Sequence, residues 1–325
     1  METVSDLKQT ADRPVPQSAA KQREKKRKLP KGVKQWLEVA PYIMIGFIFV
    51  CIFVIYPQLK NIWMSLTAYN VMDEANSVFI GLANYKKAFL GSESANFYIA
   101  YRNVILYAVV TIPPGMLLGL IMAVLTNGVK RGQLFFRAML YLPVLIDWII
   151  VGTIFLYLFQ DGKSGLVNYY LMKLHILSAP VAWLQNTWTA NLVIWIFGIW
   201  KNVGWTMIIY LAALQGISKD YYEASEIDGA NGFKKFWKIT VPLIRQTSVY
   251  ILINLIIGSF NVFFAVYILT SGGPLGTTDV LQNYMYNQAF QYLHFGYACA
   301  LSVITGVSIL LITILRNKFF KYEKI

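Results

Sequence analysis

Six long apolar runs constrain this chain more than any other feature of its sequence. They cover approximately residues 37–56, 103–126, 135–159, 191–214, 246–270 and 296–315. A helix needs roughly 20 mostly apolar residues to cross the hydrocarbon core of a bilayer, and each run is long enough. The runs are too long and too continuously apolar to be strands of a transmembrane barrel. The sequence therefore predicts an all-α integral membrane protein with six transmembrane helices.

The positive charges predict the orientation of these helices. Lys and Arg are concentrated in the N-terminal tail, between runs 2 and 3, between runs 4 and 5, and after run 6, whereas the last of the alternate connections, 271–295, has none. Cytoplasmic loops of membrane proteins carry an excess of Lys and Arg. We therefore expect both termini and the 215–245 segment to be cytoplasmic. The net charge of +13 then reflects topology rather than nucleic-acid binding.

Composition divides the chain into two parts. Residues 1–34 are polar, rich in Lys, Gln and Pro, and lack an apolar period, which predicts a disordered basic cytoplasmic tail. Residues 35–325 form the predicted transmembrane domain. Its two cysteines, Cys51 and Cys299, lie in runs 1 and 6 and offer neither a disulfide framework nor metal-ligand spacing.

The outer connections are predicted to contain short helices of their own. "GLANYKKAFLG" in the 57–102 connection, "LVNYYL" in the 160–190 connection and "VLQNYMYNQAF" in the 271–295 connection all have helical character. These connections either only join the spans or also form a landing surface for an external partner.

Two features inside run 2 predict departures from a simple helix. Pro113 and Pro114 are expected to kink or interrupt it, because proline lacks the backbone donor and clashes with the preceding turn. Gly115 and Gly119 form a G-x-x-x-G pair that permits close helix approach.

A polar helix-turn-helix at 218–245 separates runs 4 and 5. Asp220 and Glu223 have capping-box spacing, which predicts a helix starting near Tyr221 and ending near Asp228. Gly229 and Gly232 suit positive φ at the bend. An amphipathic second helix follows, and Pro242 fits the first turn of the next one. The segment is either a loop that caps two spans or a docking element for a soluble partner.

The hairpin resembles the cytoplasmic "EAA" loop of permeases of binding-protein-dependent ABC importers. That pattern is E-A-A, three residues, G, nine residues and I-x-L-P. Here it reads Glu223-Ala224-Ser225, Gly229 and Ile239-Thr240-Val241-Pro242, with both gaps kept. The departures are serine for the third-position alanine and valine for leucine. "LYLPVLI", "DGKSGLVN", "LTSGGPLGTTDVLQNYMY" and "FGYACALS" extend the resemblance, toward the maltose and multiple-sugar branch, from about residue 37 onward.

The resemblance implies a MetI-like permease fold and a carbohydrate importer in a bacterial plasma membrane. The implied partners are a second, homologous permease, a dimer of cytoplasmic ABC ATPases and an extracytoplasmic solute-binding protein. The chain would be a non-catalytic subunit that binds no cofactor, since ATP and Mg²⁺ would be held by the ATPase. It has no G-x-x-x-x-G-K-[ST] loop for ATP phosphates, which agrees with that division. The residues that the motif assigns to ATPase coupling are Glu223, Ala224, Ser225, Asp228, Gly229, Ile239 and Pro242.

Polar residues within spans mark candidate substrate contacts, because polar groups in a membrane are costly. By the resemblance, the middles of runs 4 and 5 line the solute path. An aromatic ring with amide and hydroxyl partners would suit a sugar. The candidates are Gly198, Lys201, Asn202, Trp205, Gly258, Ser259, Asn261 and Asp147. Interhelical hydrogen bonding or core packing is the alternative role for Asn202, Ser259 and Trp205.

Lys201 leaves several interpretations open. Its ammonium group could pair with Asp147, or face the cavity and meet an acidic sugar, or reach elsewhere. A permease for a non-sugar solute such as glycerol phosphate or a polyamine is an alternative, and the lysine would suit the phosphate. A self-sufficient secondary transporter or channel is a further one, although it would leave the EAA hairpin unexplained. A membrane enzyme is disfavoured because no His, Cys or carboxylate cluster lies at a common depth.

Overall fold

The computed structural model describes residues 31–129 and 131–319, which are mostly helical. Four helices are long and apolar enough to cross a membrane, and the number rises to six if two bent helix pairs each form one span. The predicted tail, 1–34, lies almost wholly outside the described residues. The predicted boundary between 34 and 35 therefore stays a prediction.

Contacts divide the described chain into two units, one up to Lys60 and one from Asn61 onward. Helix α1 (Lys31–Val50) continues through a π-helical stretch, Cys51–Ile55, into α2 (Tyr56–Ser65). The candidate span here is Val39–Ser65, which ends well beyond the predicted position 56.

The second unit contains one small antiparallel sheet and the remaining helices. The elements are β1 (Thr67–Ala68), a 3₁₀ turn (Glu74–Asn76), β2 (Val78–Phe79), α3 (Ala83–Leu90), α4 (Ser94–Gly128), α5 (Gln133–Leu145), α6 (Trp148–Leu158), α7 (Leu166–Lys173), α8 (Thr187–Gln215), α9 (Lys219–Ile227), α10 (Gly232–Lys235), a π-helical stretch (Phe236–Thr240), α11 (Val241–Leu243), α12 (Arg245–Phe260), α13 (Phe264–Leu269), α14 (Leu281–Tyr286), a second π-helical stretch (Asn287–Gln291) and α15 (Phe295–Phe319). Short helices thus occur in the connections 57–102, 160–190 and 271–295, as the sequence predicts.

Two predicted spans are broken rather than continuous. Run 135–159 divides into α5 and α6, whose axes differ by 90°. Asp147 begins the second of these helices, since its side chain accepts from the Ile149 backbone N–H at 2.8 Å. Run 246–270 divides into α12 and α13 at residues 261–263. Six spans remain possible if bent helix pairs count as single spans, but these two runs are not single helices. Polar side chains at the breaks bond backbone groups that apolar composition does not reveal: Asp147 caps α6, and Asn261 donates to the Ile257 carbonyl oxygen.

Helix α4 is continuous through Pro113 and Pro114, so the predicted interruption does not occur. Neighbouring helices and hydroxyl side chains can satisfy the backbone groups that proline leaves free in a membrane helix.

The long helices α4 and α8 pack against each other and form the centre of the second unit. Their buried side chains include Phe97, Val104 and Phe197. Gly119 of α4 contacts α8 so closely that an added Cβ would lie 2.5 Å from Thr206 Cγ2. A Cβ added at Gly115 would have no such neighbour within 4 Å. Only one of the two glycines is therefore needed for close packing.

The connection after α13 is fastened to both central helices. The Asn103 side chain on α4 donates to the carbonyl oxygens of Thr277 and Asp279, each at 2.8 Å. Thr187 of α8 shares a 2.8 Å hydroxyl hydrogen bond with Thr277. These bonds fix where α14 begins.

The 218–245 segment differs from its prediction at the first helix cap and at Gly232. Ser218 rather than Asp220 caps α9, and its hydroxyl accepts from the Asp220 backbone N–H at 3.3 Å. Gly229 has φ of +73° as predicted, but Gly232 does not have positive φ and is the first residue of α10. Pro242 lies in the first turn of the short helix α11, as predicted, and the chain then bends by 64° at Ile244 before α12 begins.

The two glycines of run 2 offer a matched test of α4–α8 packing. Gly119→Ala should destabilise the protein by about 1–3 kcal/mol, because the new methyl group overlaps Thr206. Gly115→Ala should be neutral, or stabilising by up to about 1 kcal/mol, because alanine favours helix. Thermal unfolding of both variants in detergent measures the difference. Equal melting temperatures for the two variants would contradict this packing.

Candidate functional site

A cavity of about 520 Å³ lies between α4, α8 and the α12–α13 break; we call it the large cavity. Its volume falls within the usual range for small-molecule sites. Its lining combines amide and hydroxyl groups with aromatic rings. The residues that carry these groups are Tyr107, Thr111, Trp148, Asn202, Trp205, Asn254, Ser259, Asn261, Phe263 and Phe264.

Seven of the eight predicted substrate residues meet at this cavity. They come from α8 and from the end of α12 and the residue after it: Gly198, Lys201, Asn202, Trp205, Gly258, Ser259 and Asn261. Asp147 is not among the lining residues. The geometry brings these residues together, while their contact with a solute remains a prediction.

Three asparagines of the cavity are held in the same way. Each side-chain amide donates to the carbonyl four residues earlier in its helix, Asn202 to Gly198 at 2.9 Å, Asn254 to Tyr250 at 2.8 Å and Asn261 to Ile257 at 2.9 Å. An amide has two N–H donors and an acceptor oxygen, so one such bond leaves hydrogen-bonding capacity. At Asn202 and Asn254 that capacity is available to a polar solute, while the Asn261 oxygen accepts from Gln282 at 3.1 Å.

Gly198 has a steric role in the cavity wall. A Cβ at this position would collide with the Tyr107 hydroxyl group. The absence of a side chain on α8 therefore lets the buried Tyr107 ring of α4 lie against the helix and line the cavity.

The Lys201 ammonium group is hydrogen-bonded to backbone carbonyl groups. Its ammonium group donates to the carbonyl oxygens of Pro143 at 2.7 Å and Val144 at 3.3 Å, and also to that of Ile146. The residue is only 3% exposed, and its nitrogen lies 5.0 Å from the centre of the Trp148 ring. The last carbonyls of a helix lack partners within it. Lys201 therefore stabilises the break between α5 and α6 from a neighbouring helix.

The possible ion pair between Lys201 and Asp147 is not formed. Asp147 is exposed and caps α6, while the three ammonium N–H groups of Lys201 are used by carbonyls. A lysine has three donors, so Lys201 has none left for an acidic solute in this conformation. The sequence pattern could not show this, because the carbonyl acceptors become available only through the 90° bend.

Several lining residues were missed by the sequence analysis: Tyr107, Thr111, Trp148, Asn254 and Phe263. Asn254 could have been found, since it is a polar residue within run 5, like Ser259. Tyr107 and Phe263 carried no such signal, because an aromatic residue in an apolar run is typical of packing.

The residues of the EAA-like segment form a second group, remote in sequence from the cavity. Glu223, Ala224, Asp228, Gly229 and Pro242 are exposed, Ile239 is partly buried, and Ser225 is buried. The Ser225 hydroxyl donates to the Tyr222 carbonyl oxygen at 2.7 Å, so its departure from alanine is accommodated within the helix.

Two interactions hold the helices of this segment together. The Tyr222 and Thr240 hydroxyl groups share a hydrogen bond of 2.9 Å. Lys235 pairs with Glu226 at 2.6 Å.

Comparison with known proteins identifies the family. The family model described as "Binding-protein-dependent transport system inner membrane component" matches residues 115–321. The chain therefore belongs to this family of membrane transport components.

Three relatives match almost their full length. The arabinooligosaccharides transport system permease protein AraP of Bacillus subtilis (strain 168) is 30% identical over 94% of this chain and 94% of AraP. The lactose transport system permease protein LacF of Rhizobium radiobacter is 31% identical over 87% of this chain and 93% of LacF. The sn-glycerol-3-phosphate transport system permease protein UgpA of Agrobacterium fabrum (strain C58 / ATCC 33970) is 30% identical over 89% of this chain and 95% of UgpA.

A solved structure shares the fold. A chain in the crystal structure of a bacterial ABC transporter involved in the import of the acidic polysaccharide alginate superposes with a TM-score of 0.77. The match covers 89% of this chain and 96% of that chain, at 23% identity.

The role of Lys201 can be separated from that of Asp147 by two substitutions. Lys201→Met should destabilise the protein by about 1–3 kcal/mol for each carbonyl left unsatisfied. Asp147→Asn should change stability by less than about 0.5 kcal/mol, because asparagine caps helices about as well as aspartate. Thermal unfolding in detergent measures both effects. A large loss for Asp147→Asn would instead indicate that its charge supports Lys201.

Proposed function

We propose that this chain is a permease subunit of an ATP-driven ABC importer that moves carbohydrate across the bacterial plasma membrane by alternating access. The single observation that carries the solute class is the large cavity, with its amides, hydroxyls and aromatic rings. Membership of the binding-protein-dependent family supports the importer role.

The chemistry of the cavity suits a sugar. A sugar ring has apolar C–H faces and an edge of hydroxyl groups, so it needs both flat apolar surface and hydrogen-bond partners. Trp205 and Phe263 offer aromatic surface, and Asn202 and Asn254 offer amide groups with unused capacity. The relatives AraP and LacF carry names that refer to arabinooligosaccharides and lactose.

Glycerol phosphate is the second candidate solute, because UgpA is also a relative. An anionic solute would be favoured by a free cation in the cavity. The Lys201 ammonium group is instead saturated by three carbonyl oxygens, which favours an uncharged sugar over a phosphate or a uronate.

The EAA-like segment is proposed to couple this chain to a cytoplasmic ATPase. Three large apolar residues on this segment are exposed to solvent: Ile227 is 89% exposed, Phe233 is 74% exposed and Trp237 is 55% exposed. Exposed apolar surface of this kind is typical of a protein interaction site. Glu223 is exposed on the same segment and would face the ATPase.

The remaining partners follow from this proposal. A second permease would complete the path, and an extracytoplasmic solute-binding protein would deliver the sugar. ATP and Mg²⁺ would be bound by the ATPase dimer, and this chain would bind no cofactor and catalyse no reaction. Both termini would be cytoplasmic, as the charge distribution predicts.

Uptake by the reconstituted complex tests the solute class. The probes are labelled arabinobiose, arabinotriose, lactose and sn-glycerol 3-phosphate, with ATP inside or absent. We expect ATP-dependent uptake of at least one sugar and little uptake of the phosphate. Phosphate uptake without sugar uptake would overturn the carbohydrate proposal. Sugar flux in the absence of any ATPase would show a stand-alone transporter.

Glu223→Lys should reduce solute-stimulated ATP hydrolysis by about tenfold or more, because loss of one buried charge contact at an interface costs about 2–5 kcal/mol. ATPase activity of the complex purified through this chain provides the measurement. Lys219→Glu is the matched control, a charge reversal at an exposed residue on the same helix that lies outside the motif. Equal effects of the two substitutions would contradict a specific coupling role for Glu223.

A further inference from the structure

A second cavity of about 360 Å³ lies beside the large cavity and has no role in the function proposed above. We call it the second cavity. All of its lining residues belong to the second unit, and they include Asn61, Gln282, Tyr286, Phe290 and Phe295.

A thin partition separates the two cavities. Phe263 lines both of them. Beside it, Asn261 of the large cavity accepts a hydrogen bond of 3.1 Å from Gln282 of the second cavity. The Phe263 ring and this hydrogen bond thus lie at the boundary between the two cavities.

The second cavity carries a continuous row of aromatic rings. The Phe263 and Tyr286 ring centres are 5.2 Å apart, and those of Tyr286 and Phe290 are 5.0 Å apart. Phe295 follows at 5.8 Å from Phe290. The row begins at the partition and leads away from the large cavity.

Polar groups line the same cavity. Asn61 donates to the Ser302 hydroxyl at 3.4 Å, and both residues line the second cavity together with Gln282. Each of these two amides uses one N–H group in a bond to the protein, and a lipid tail would leave its remaining hydrogen-bonding capacity unmet. A sugar ring would cover the aromatic faces and still offer hydroxyl groups to the amides.

The partition stands where the backbone is not helical. Residues 261–263 lie between α12 and α13, and Phe263 has φ of −135° and ψ of −65°. A side chain at a helix break can change position with little loss of helical hydrogen bonding. The Asn261–Gln282 bond beside it is exposed to solvent.

We propose that the second cavity is a subsite for one sugar ring of an oligosaccharide, and that Phe263 with the Asn261–Gln282 bond forms a gate between it and the large cavity. In this conformation the gate is closed. The proposal rests on the proposed carbohydrate function and adds a determinant of solute length. A short sugar fits the large cavity alone, whereas a longer one extends through the open gate.

Solute length provides the first test. Tyr286→Ala and Phe290→Ala should raise the KM for arabinotriose by about tenfold, the effect of losing one apolar contact in a binding pocket. The KM for arabinobiose should be unchanged. Tyr292→Ala is the matched control, since this exposed ring lines neither cavity. Co-purification of the ATPase with each variant verifies folding and assembly.

The outcomes separate this proposal from the one on which it rests. Equal effects on both sugars, or none on either, overturn the subsite and fit a lipid tail or a partner helix in the second cavity. Wild type that imports lactose or arabinobiose but not arabinotriose also overturns the subsite, because no solute then spans both cavities. Wild type that imports none of these sugars contradicts the proposed function itself.

Cross-linking provides the test of the gate. Asn261→Cys and Gln282→Cys are combined in a chain with Cys51→Ser and Cys299→Ser, and the pair is joined with a short bis-methanethiosulfonate reagent. Uptake of arabinotriose should fall at least tenfold relative to the untreated variant and return after reduction. Methyl methanethiosulfonate, which modifies both thiols without joining them, is the control. Full uptake by cross-linked protein, or failure of the pair to cross-link in the assembled transporter, overturns the gate.

Discussion

The site depends on the interaction between the Lys201 ammonium group and the carbonyl oxygens of Pro143, Val144 and Ile146. A 90° break in a membrane-embedded chain exposes backbone acceptors that lipid cannot satisfy. A cation from α8 satisfies them and thereby fixes the start of α6 beside α8. Trp148, the first residue of α6, is placed against both the lysine and the large cavity by the same arrangement. The position of Trp148 in the cavity wall thus depends on one side chain, Lys201, which donates hydrogen bonds to the carbonyl groups at the end of α5.

Much of this arrangement could be predicted from the sequence, because long apolar runs and polar residues within them have few physical interpretations. Runs 103–126, 191–214 and 296–315 lie within α4, α8 and α15. Residues Asn202, Ser259 and Asn261 were selected as polar groups within spans, and the structure places all three at the large cavity.

The differences arise where tertiary contacts override a local pattern. Lys201 and Asp147 have opposite charges, but the lysine is already satisfied by carbonyl groups and the aspartate by a helix N-terminus. Hydrophobicity does not reveal that runs 135–159 and 246–270 contain breaks. Ser218 competes with Asp220 as the helix cap, and both residues are good caps, so spacing alone could not select between them. The second cavity is lined by residues from separate connections and spans, and no sequence pattern joins Asn61 to Gln282.

The burial of Lys201 has a consequence for how the protein responds to its ionic surroundings. Mobile ions screen charges that they can approach, over about 8–10 Å at physiological salt, whereas a buried charge is screened much less. The interaction at the α5–α6 break, with a lysine only 3% exposed, is thus almost insensitive to ionic strength. The Lys235–Glu226 pair of the EAA-like segment has a carboxylate side chain that is 63% exposed and is open to screening. Raising the salt concentration should therefore weaken the ion pair on the segment proposed to bind the ATPase. The Lys201 interaction beside the large cavity should keep its strength, so the two sites differ in their dependence on ionic strength.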